Sequence, residues 1–380
     1  MGRASDRENP FQPGAGARPP LLAGRTAELA LADSRLDSLE RGRRPPRGLL
    51  FFGPRGNGKT CLLHEIADNA RRRGMRAESL PAASFRDPDS LWHQLTELAG
   101  LAGTRLTDAQ AAGFGVSAEP RVATRNVSKL LTGWIRRKSS RLVILLDEAH
   151  AVEPAAGRIF FDAVQAATRD DAPFLLLAAG TPDAPRRIRK AGTLTERMFE
   201  RAPVGRLARA ETMRALSEPA RVSGLPLRED AAALLAAASQ DYPYFVQLLG
   251  DAAWSAADAD GLSEISGSAA RLSLEAVGPQ IERFYAERLD EARGRRIEGV
   301  LAPLAALVRE RGGFLGELEL RPALARLAAP HGLPGDETWL LENLSDLGVL
   351  WRGGPGRWEL GIPSFGDYLL ALPGAVPGSR

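Results

Sequence analysis

The sequence predicts an α/β protein whose parallel sheet is covered by helices on both faces, followed by a helical part and a last unit of helices and a β-hairpin. Three observations predict this. Short apolar runs alternate with amphipathic segments over the first half of the chain, as in a parallel sheet with crossover helices. These runs are short and bounded by Gly, Pro or charged residues, as buried strands are. After residue 207, helical segments follow one another without a strand.

In the first half, residues 1–18 are rich in Pro, Gly and Arg and predict a disordered tail. The core is expected over 19–207. Its predicted strands are 48–52, 75–80, 142–146 and 174–178, and its predicted helices are 26–41, 58–73, 88–99 and 124–138. The segment 101–123 is Gly- and Ala-rich, which predicts a loop or an insertion.

The second half is expected to hold two further domains. A small helical domain over 208–265 contains predicted helices at 211–222, 228–239 and 243–257. A linking helix leads from 266 into helices at 295–311, 317–329 and 336–347, a hairpin around 353–356 and a helix at 364–372. Helices followed by a β-hairpin are typical of a winged-helix domain, which we expect within 266–380.

Composition excludes some classes of protein. The 380 residues carry a net charge of +3, which is too small to indicate nucleic acid by itself. No stretch approaches the roughly 20 apolar residues that span a bilayer, and the start lacks the apolar segment of a secretory signal. The single cysteine, Cys61, cannot form an internal disulfide. We therefore expect a cytoplasmic protein without a membrane partner.

One motif carries specific chemistry. It is Gly53-Pro54-Arg55-Gly56-Asn57-Gly58-Lys59-Thr60, which matches G-x-x-x-x-G-K-[ST] between a predicted strand and a predicted helix. Its glycines let backbone N–H groups converge on phosphate oxygens, and the helix adds its positive N-terminal end. In such loops Lys59 reaches the β- and γ-phosphates and Thr60 offers its hydroxyl to Mg²⁺. The motif predicts ATP with Mg²⁺ as ligands.

An acidic pair supplies the second half of such a site. Asp147 and Glu148 end the apolar strand 142–146, and carboxyl ends of parallel strands face the ligand crevice. Asp147 is expected to hold Mg²⁺, and Glu148 to orient and polarise the attacking water. The next strand is followed by Thr181, which either lies between Glu148 and the γ-phosphate or bonds the local backbone as a turn hydroxyl.

With these motifs, the sequence resembles AAA+ ATPases, specifically the origin-recognition-complex-like (ORC-like) branch, which includes many bacterial and archaeal ATPases. The resemblance covers roughly 19–375. Residues 19–25, with Gly24 and Arg25, resemble the segment near adenine, and Cys61 follows the phosphate loop. Residues 195–200 resemble the segment with the arginine finger, and 242–250 resemble the start of the lid helix.

The resemblance implies an arginine on the γ-phosphate, but Tyr244 occupies its neighbourhood and no arginine lies between Arg228 and Arg271. Slow hydrolysis or a substituting arginine is therefore expected. Arg197 is either a finger donated across a subunit boundary, which requires a homo-oligomer, or an ion-pair partner of Glu196 or Glu200.

Partners beyond ATP are left open between double-stranded DNA and protein. Helix 336–347 carries Asp336, Glu337, Glu342 and Asp346 and no cation, which disfavours DNA. The hairpin offers Arg352 and Arg357 beside two tryptophans that either flank phosphates or pack the hairpin. Two functions remain: a slow ATPase, and a nucleotide-gated binding module with little turnover. A metabolic kinase lacks any sign of an acceptor pocket.

Overall fold

The computed structural model describes residues 7–14, 16–98, 120–136, 141–170, 172–192, 195–333 and 337–373. The chain divides into two compact units. The sheet unit comprises 26–52 and 62–203, and the pocket unit comprises 1–25, 53–61 and 204–380. This division differs from the predicted segments, because 1–25 and 53–61 group with the C-terminal half. None of the helices within these ranges is long and apolar enough to cross a membrane.

The sheet unit alternates strands and helices as predicted. Its strands are β1 (Gly48–Phe52), β2 (Arg76–Leu80), β3 (Leu142–Leu146), β4 (Phe174–Gly180) and β5 (Phe199–Pro203). Its helices are α1 (Thr26–Glu40), α2 (Lys59–Arg72, whose first turn belongs to the pocket unit), α3 (Pro88–Leu98), α4 (Pro120–Arg136), α5 (Pro154–Arg169), α6 (Ala184–Ala191) and α7 (Thr195–Met198). Most of the predicted loop 101–123 lies outside the described residues.

The five strands form one parallel sheet in the order β2-β3-β4-β1-β5. Every residue of β3 and β4 is buried, which requires cover on both faces. Because all strands run the same way, their carboxyl ends share one edge of the sheet. Asp147 follows β3 and Thr181 follows β4 at that edge, and Gly53 follows β1 in the chain.

Strand β5 was not predicted. Its residues, Phe199 to Pro203, pair with the whole of β1, although the strand contains Glu200 and Arg201 and lacks an apolar run. A charged edge strand carries a weaker apolar pattern than a central one. Arg197 lies just before β5, so it is at the amino-terminal edge of the sheet.

The pocket unit is mainly helical. Its helices are α8 (Arg209–Val222), α9 (Glu229–Ser239), α10 (Pro243–Ala259), α11 (Gly267–Gly294), α12 (Glu298–Glu310), α13 (Glu317–Ala328), α14 (Glu337–Asp346) and α15 (Pro363–Ala371). An antiparallel sheet in the order β6-β8-β7 joins β6 (Leu315–Gly316), β7 (Leu350–Gly354) and β8 (Arg357–Leu360). The helices and hairpin agree with the elements predicted for a winged helix, while the domain type stays a prediction.

Part of the segment predicted as a disordered tail is packed. Phe11 is only 3 % exposed and belongs to the core of the pocket unit. Asn9 donates to the carboxylate of Asp251 and to the hydroxyl of Ser255 on α10, at 2.7 and 2.8 Å. One buried aromatic ring was enough to outweigh a composition that otherwise favours disorder.

Candidate nucleotide-binding site

A cavity of about 480 Å³ lies entirely within the pocket unit, in the size range of about 300–1,000 Å³ that ligand pockets occupy. The predicted phosphate loop forms one wall. Helices α10 and α11 form the others through Tyr244, Gln247 and Phe284, together with residues 12–14, 16–17, 19 and 21–23 of the N-terminal segment. Mixed loop, aromatic and apolar walls suit a ligand that has both a charged and a flat apolar end.

Most residues predicted to contact the ligand line this cavity. They are Arg25, Arg55, Gly56, Asn57, Gly58, Lys59, Thr60 and Cys61. Gly24, Gly53 and Pro54 do not line it. Gly53 is instead packed so closely that an added Cβ would meet the carbonyl oxygen of Val204 at 2.2 Å, and the Gly24 N–H donates to Glu211 at 2.8 Å.

Three contacts hold the phosphate loop in shape. The buried guanidinium of Arg25, 4 % exposed, donates to the carbonyl oxygens of Asn57 and Gly205 at 3.0 and 2.7 Å. The amide of Asn57 donates to the Val204 carbonyl at 3.1 Å. Arg25 therefore braces the loop, in addition to lining the cavity near the segment predicted to approach adenine.

The third contact comes from Tyr242, whose hydroxyl donates to the carbonyl oxygen of Arg55 at 2.5 Å. Burial raises the pKa of this hydroxyl to about 12, while the charge of Arg288 opposes the rise. Gly56 beside it has φ +81°, and a Cβ there would lie 2.1 Å from the tyrosine oxygen. Only glycine fits this close approach.

The cations and the thiol of the loop have defined partners. The Lys59 ammonium donates to the carbonyl oxygen of Pro54 at 2.7 Å, and Arg55 forms an exposed ion pair with Glu291 of α11 at 3.3 Å. The thiol of Cys61 donates to the Ala17 carbonyl at 3.1 Å. Cys61 therefore joins the start of α2 to the N-terminal segment.

In the sheet unit, the acidic pair ends β3 as predicted. Glu148 is exposed and has φ +51°, a conformation that costs a non-glycine residue roughly 1 kcal/mol or more. Its N–H donates to the Asp147 carboxylate at 2.9 Å. In the part of the chain that the structure describes, no three His, Cys, Asp or Glu side chains cluster in a way that could hold a metal.

Thr181 follows β4 and is 1 % exposed. Its buried hydroxyl has no hydrogen-bond partner among the described residues, so the turn-hydroxyl alternative is wrong. The backbone N–H of Thr181 donates to Nδ1 of His150 at 3.4 Å, so the His150 side chain contacts the backbone of Thr181. An unpaired buried hydroxyl costs about 1–3 kcal/mol and is a common mark of a functional site.

Arg197 is exposed in the sheet unit. Of its two predicted ion-pair partners, Glu200 binds Arg35, and the side chain of Glu196 is outside the described set. Neither its finger role nor its ion-pair alternative is tested by these contacts.

The first part of the C-terminal hairpin contacts the phosphate loop within the pocket unit. Trp351 is buried, and its ring lies against Gly53 and Gly205, where added Cβ atoms would meet it at 3.6 and 3.1 Å. Pro54 lies against Gly361 and Gly348 in the same way, at 3.1 and 3.8 Å. The loop is therefore in direct contact with the C-terminal hairpin and the residues that flank it.

Sequence reasoning missed three contributors that line the cavity: Tyr242, Arg288 and the N-terminal residues 12–14, 16 and 17. Tyr242 was quoted only as part of a lid-like segment, and its spacing from Arg55 of 187 residues has no local signature. Arg288 lies on the linking helix, where helical spacing places it on one face with Phe284 and Glu291.

A family model described as an AAA domain matches residues 43–188. The Thermotoga maritima RuvB Holliday junction branch migration motor is similar over 94 % of this chain and 99 % of its own, with 17 % identity and a TM-score of 0.53. Aeropyrum pernix ORC1 in complex with DNA covers 92 % of both chains with 17 % identity and a TM-score of 0.49. No curated protein matches. The RuvB likeness shows a common fold, and the family model places an AAA domain over residues 43–188.

Proposed function

We propose that this chain, whose residues 43–188 match an AAA domain, is an AAA+ protein that binds Mg·ATP in the cavity of the pocket unit, hydrolyses it slowly and couples the nucleotide state to assembly or to a partner. The observation that carries the proposal is that the phosphate loop, braced by Arg25 and Tyr242, forms a wall of this cavity. Residues 19–25, 195–200 and 242–250 favour the ORC-like branch of these proteins.

Loop residues bind the phosphates in this proposal. The N–H groups of residues 56–60 face the phosphate oxygens, and the Lys59 ammonium exchanges its bond with the Pro54 carbonyl for the β- and γ-phosphates. Gly24 and Arg25 support the adenine side, and Cys61 ties that side to the helix that follows the loop. A single cysteine, Cys61, which cannot form an internal disulfide, fits a reducing, cytoplasmic setting.

The carboxyl edge of the sheet supplies hydrolysis. Thr60 and Asp147 offer the oxygen ligands that Mg²⁺ prefers, and the metal when bound neutralises charge on the phosphates. Glu148 orients the attacking water and accepts its proton. The unpaired hydroxyl of Thr181 donates to the γ-phosphate. Arg197, at the opposite edge of the sheet, acts as a finger on a neighbouring subunit's nucleotide, which makes the active form a homo-oligomer.

The test separates binding from turnover. Lys59→Ala is expected to weaken ATP binding by about 100-fold, while the exposed Lys190→Ala control leaves it unchanged, because an ammonium–phosphate contact is charge-assisted. Glu148→Gln is expected to keep binding and to lower phosphate release by about 100-fold or more. Its control is Glu153→Gln, an exposed carboxylate in the same loop. Unchanged ATP binding in Lys59→Ala would refute the site.

The alternative is a nucleotide-gated binding module with little or no turnover. Tyr244 in the neighbourhood where relatives carry an arginine favours it, and so does the contact of Trp351 and Pro54 between hairpin and loop. Tight ATP binding without phosphate release, at any protein concentration and with or without DNA, would select this alternative over the ATPase.

For the C-terminal domain we propose a protein partner over DNA. The carboxylates of α14, predicted to be uncompensated, are in part paired: Glu337 with Arg321 at 3.6 Å and Asp346 with Arg295 at 2.8 Å. Asp336 lies outside the described residues. The expectation of uncompensated carboxylates was wrong for these two, because their partners lie outside α14: Arg321 on α13 and Arg295 at the C-terminal cap of α11.

The hairpin arginines are paired too. Arg352 lies 3.4 Å from Glu317, and Arg357 lies 3.7 Å from Glu359. Trp351 is buried, and Trp358 donates to Glu317 at 2.9 Å, so both tryptophans have packing or bonding roles. A face whose cations are balanced by carboxylates gains little from releasing DNA counterions. Salt-sensitive binding of a double-stranded oligonucleotide, lost in Arg352→Ala/Arg357→Ala, would reverse this proposal.

A further inference from the structure

The cations that line the cavity differ in what they already bind. Arg25 is buried and donates to two backbone carbonyls. Arg55 pairs with the carboxylate of Glu291 at 3.3 Å, and Lys59 donates to a loop carbonyl. A nucleoside triphosphate brings several negative charges into this space, so a further cation with spare hydrogen-bond donors would have a defined use.

Arg288 is that cation. It lines the cavity from α11, on the helix face that also presents Phe284, Glu287 and Glu291. Its guanidinium stacks 4.5 Å from the centre of the Phe284 ring, and Nη1 makes one long hydrogen bond, 3.4 Å, to the carbonyl oxygen of Leu347. Its Nε is buried and has no hydrogen-bond partner among the described residues. The side chain is thus held in place by Phe284 and Leu347 while its guanidinium lines the cavity.

Its position along the loop identifies which end of the ligand it meets. Arg288 stacks on Phe284, whose ring centre lies 6.4 Å from that of Tyr242, and the Tyr242 hydroxyl donates to the carbonyl of Arg55. The Lys59 ammonium donates to the carbonyl of Pro54, the residue before. Lys59 and the Tyr242 hydroxyl therefore bind consecutive carbonyls. Since the loop lysine reaches the β- and γ-phosphates, Arg288 lies beside the end of the cavity that takes the terminal phosphate.

From this arrangement we propose that Arg288 binds the terminal phosphate of ATP and makes the cavity prefer ATP to ADP. The inference rests on the proposed function. In it, Arg288 takes over the contact expected from a lid arginine, whose neighbourhood Tyr244 occupies. A guanidinium suits the task because its planar fork offers paired donors to phosphate oxygens. Glu287 also lines the cavity, but its side chain is exposed, so water and salt screen its repulsion of the ligand.

The experiment measures the dissociation constants of ATP and ADP for the full chain with Mg²⁺, by calorimetry or by displacement of a fluorescent ADP. In Arg288→Ala, the ATP constant is expected to rise by about 10- to 100-fold, the effect of one charge-assisted hydrogen-bonded contact, with the ADP constant changing less than about threefold. Arg288→Lys should recover part of the ATP affinity. The control is Arg283→Ala, an exposed arginine on the same helix that does not line the cavity.

The other possible results contradict either the role of Arg288 or the proposed function itself. Equal losses for ATP and ADP in Arg288→Ala, with a lowered melting temperature in the absence of nucleotide, would show a structural role through Phe284 and Leu347 and overturn the inference. Unchanged affinities would overturn it as well. If the unsubstituted chain binds neither nucleotide, the proposed function itself fails, and this result is distinguishable because it does not depend on the variant.

Discussion

The contact between Phe11 and Gly250 predicts an unusual effect of Gly250→Ala. This substitution should favour the helical conformation of α10 but should release the N-terminal residues 7–14 from it. Gly250 lies in α10, where alanine is favoured over glycine by about 0.8–1 kcal/mol. However, a Cβ at Gly250 would lie 2.6, 2.7 and 2.9 Å from three atoms of the Phe11 ring. These distances are too short for carbon atoms in contact, so the ring must leave its place.

Removing Phe11 from the core should cost the docked segment about 1.5–3 kcal/mol, the value of burying one such side chain. This corresponds to roughly a 10- to 100-fold larger population in which residues 7–14 are detached. Residues 12–14, 16 and 17 line the cavity proposed for ATP, so ATP should also dissociate faster in Gly250→Ala. The rest of the pocket unit should be as stable as before, since the helix itself gains from alanine.

Hydrogen exchange of residues 9–14 and stopped-flow release of a fluorescent ATP analogue measure the two effects. The matched control is Gly133→Ala, a helical glycine in α4 that is not followed by a proline and whose added Cβ would have no atom within 4 Å. Gly133→Ala should raise the melting temperature without faster exchange or release. The reasoning is refuted if Gly250→Ala behaves like this control, with protected N-terminal amides and an unchanged release rate.

Three further predictions follow from contacts of the phosphate loop and the buried tyrosines. Tyr242→Phe removes the hydrogen bond to the Arg55 carbonyl and should weaken ATP binding by about 3- to 10-fold; equal affinity in a titration would show that the bond does not shape the loop. Trp351→Ala should lower the melting temperature, since truncating a buried tryptophan costs about 3–5 kcal/mol, and should also weaken ATP binding, whereas the exposed Arg357→Ala should do neither. Burial raises the pKa values of Tyr242 and Tyr285 to about 12 from the ordinary value of 10.0. The stability that their neutral hydroxyls contribute is therefore present below pH 10 and is lost as the pH rises from 10 to 12. Over this pH range, the melting temperature should fall less steeply in Tyr242→Phe than in the unsubstituted chain.

Much of the fold could be predicted from local pattern. The strand Gly48–Phe52 and the strand Leu142–Leu146 were predicted with the bounds that the structure has, because continuous apolar runs between polar ends have few alternatives in a parallel sheet. The helices of the C-terminal half were predicted to within about three residues at either end. Strand β5 was missed, because an edge strand that contains Glu200 and Arg201 shows no such run.

The candidate site was predictable only where its residues are neighbours in the chain. The phosphate loop and the Asp147-Glu148 pair are local motifs that follow strands, and parallel strands bring their carboxyl ends to one edge. In contrast, Arg288, Tyr242 and Phe11 act through residues far away in the chain, and their local context gives no sign of it. Phe11 even lies in a segment whose composition favours disorder.

The sequence by itself therefore determined the sheet, the phosphate loop and the acidic strand end. The reason is that apolar runs and glycine-rich turns are patterns of residues that are close together in the chain. Only the tertiary structure decided that Tyr242, at the start of α10, contacts the loop, that Arg288 on α11 lines its cavity and that Phe11 packs against Gly250. The physical reason is that these contacts depend on how helices pack against each other. A single guanidinium or aromatic ring reveals its partner only when that packing is known.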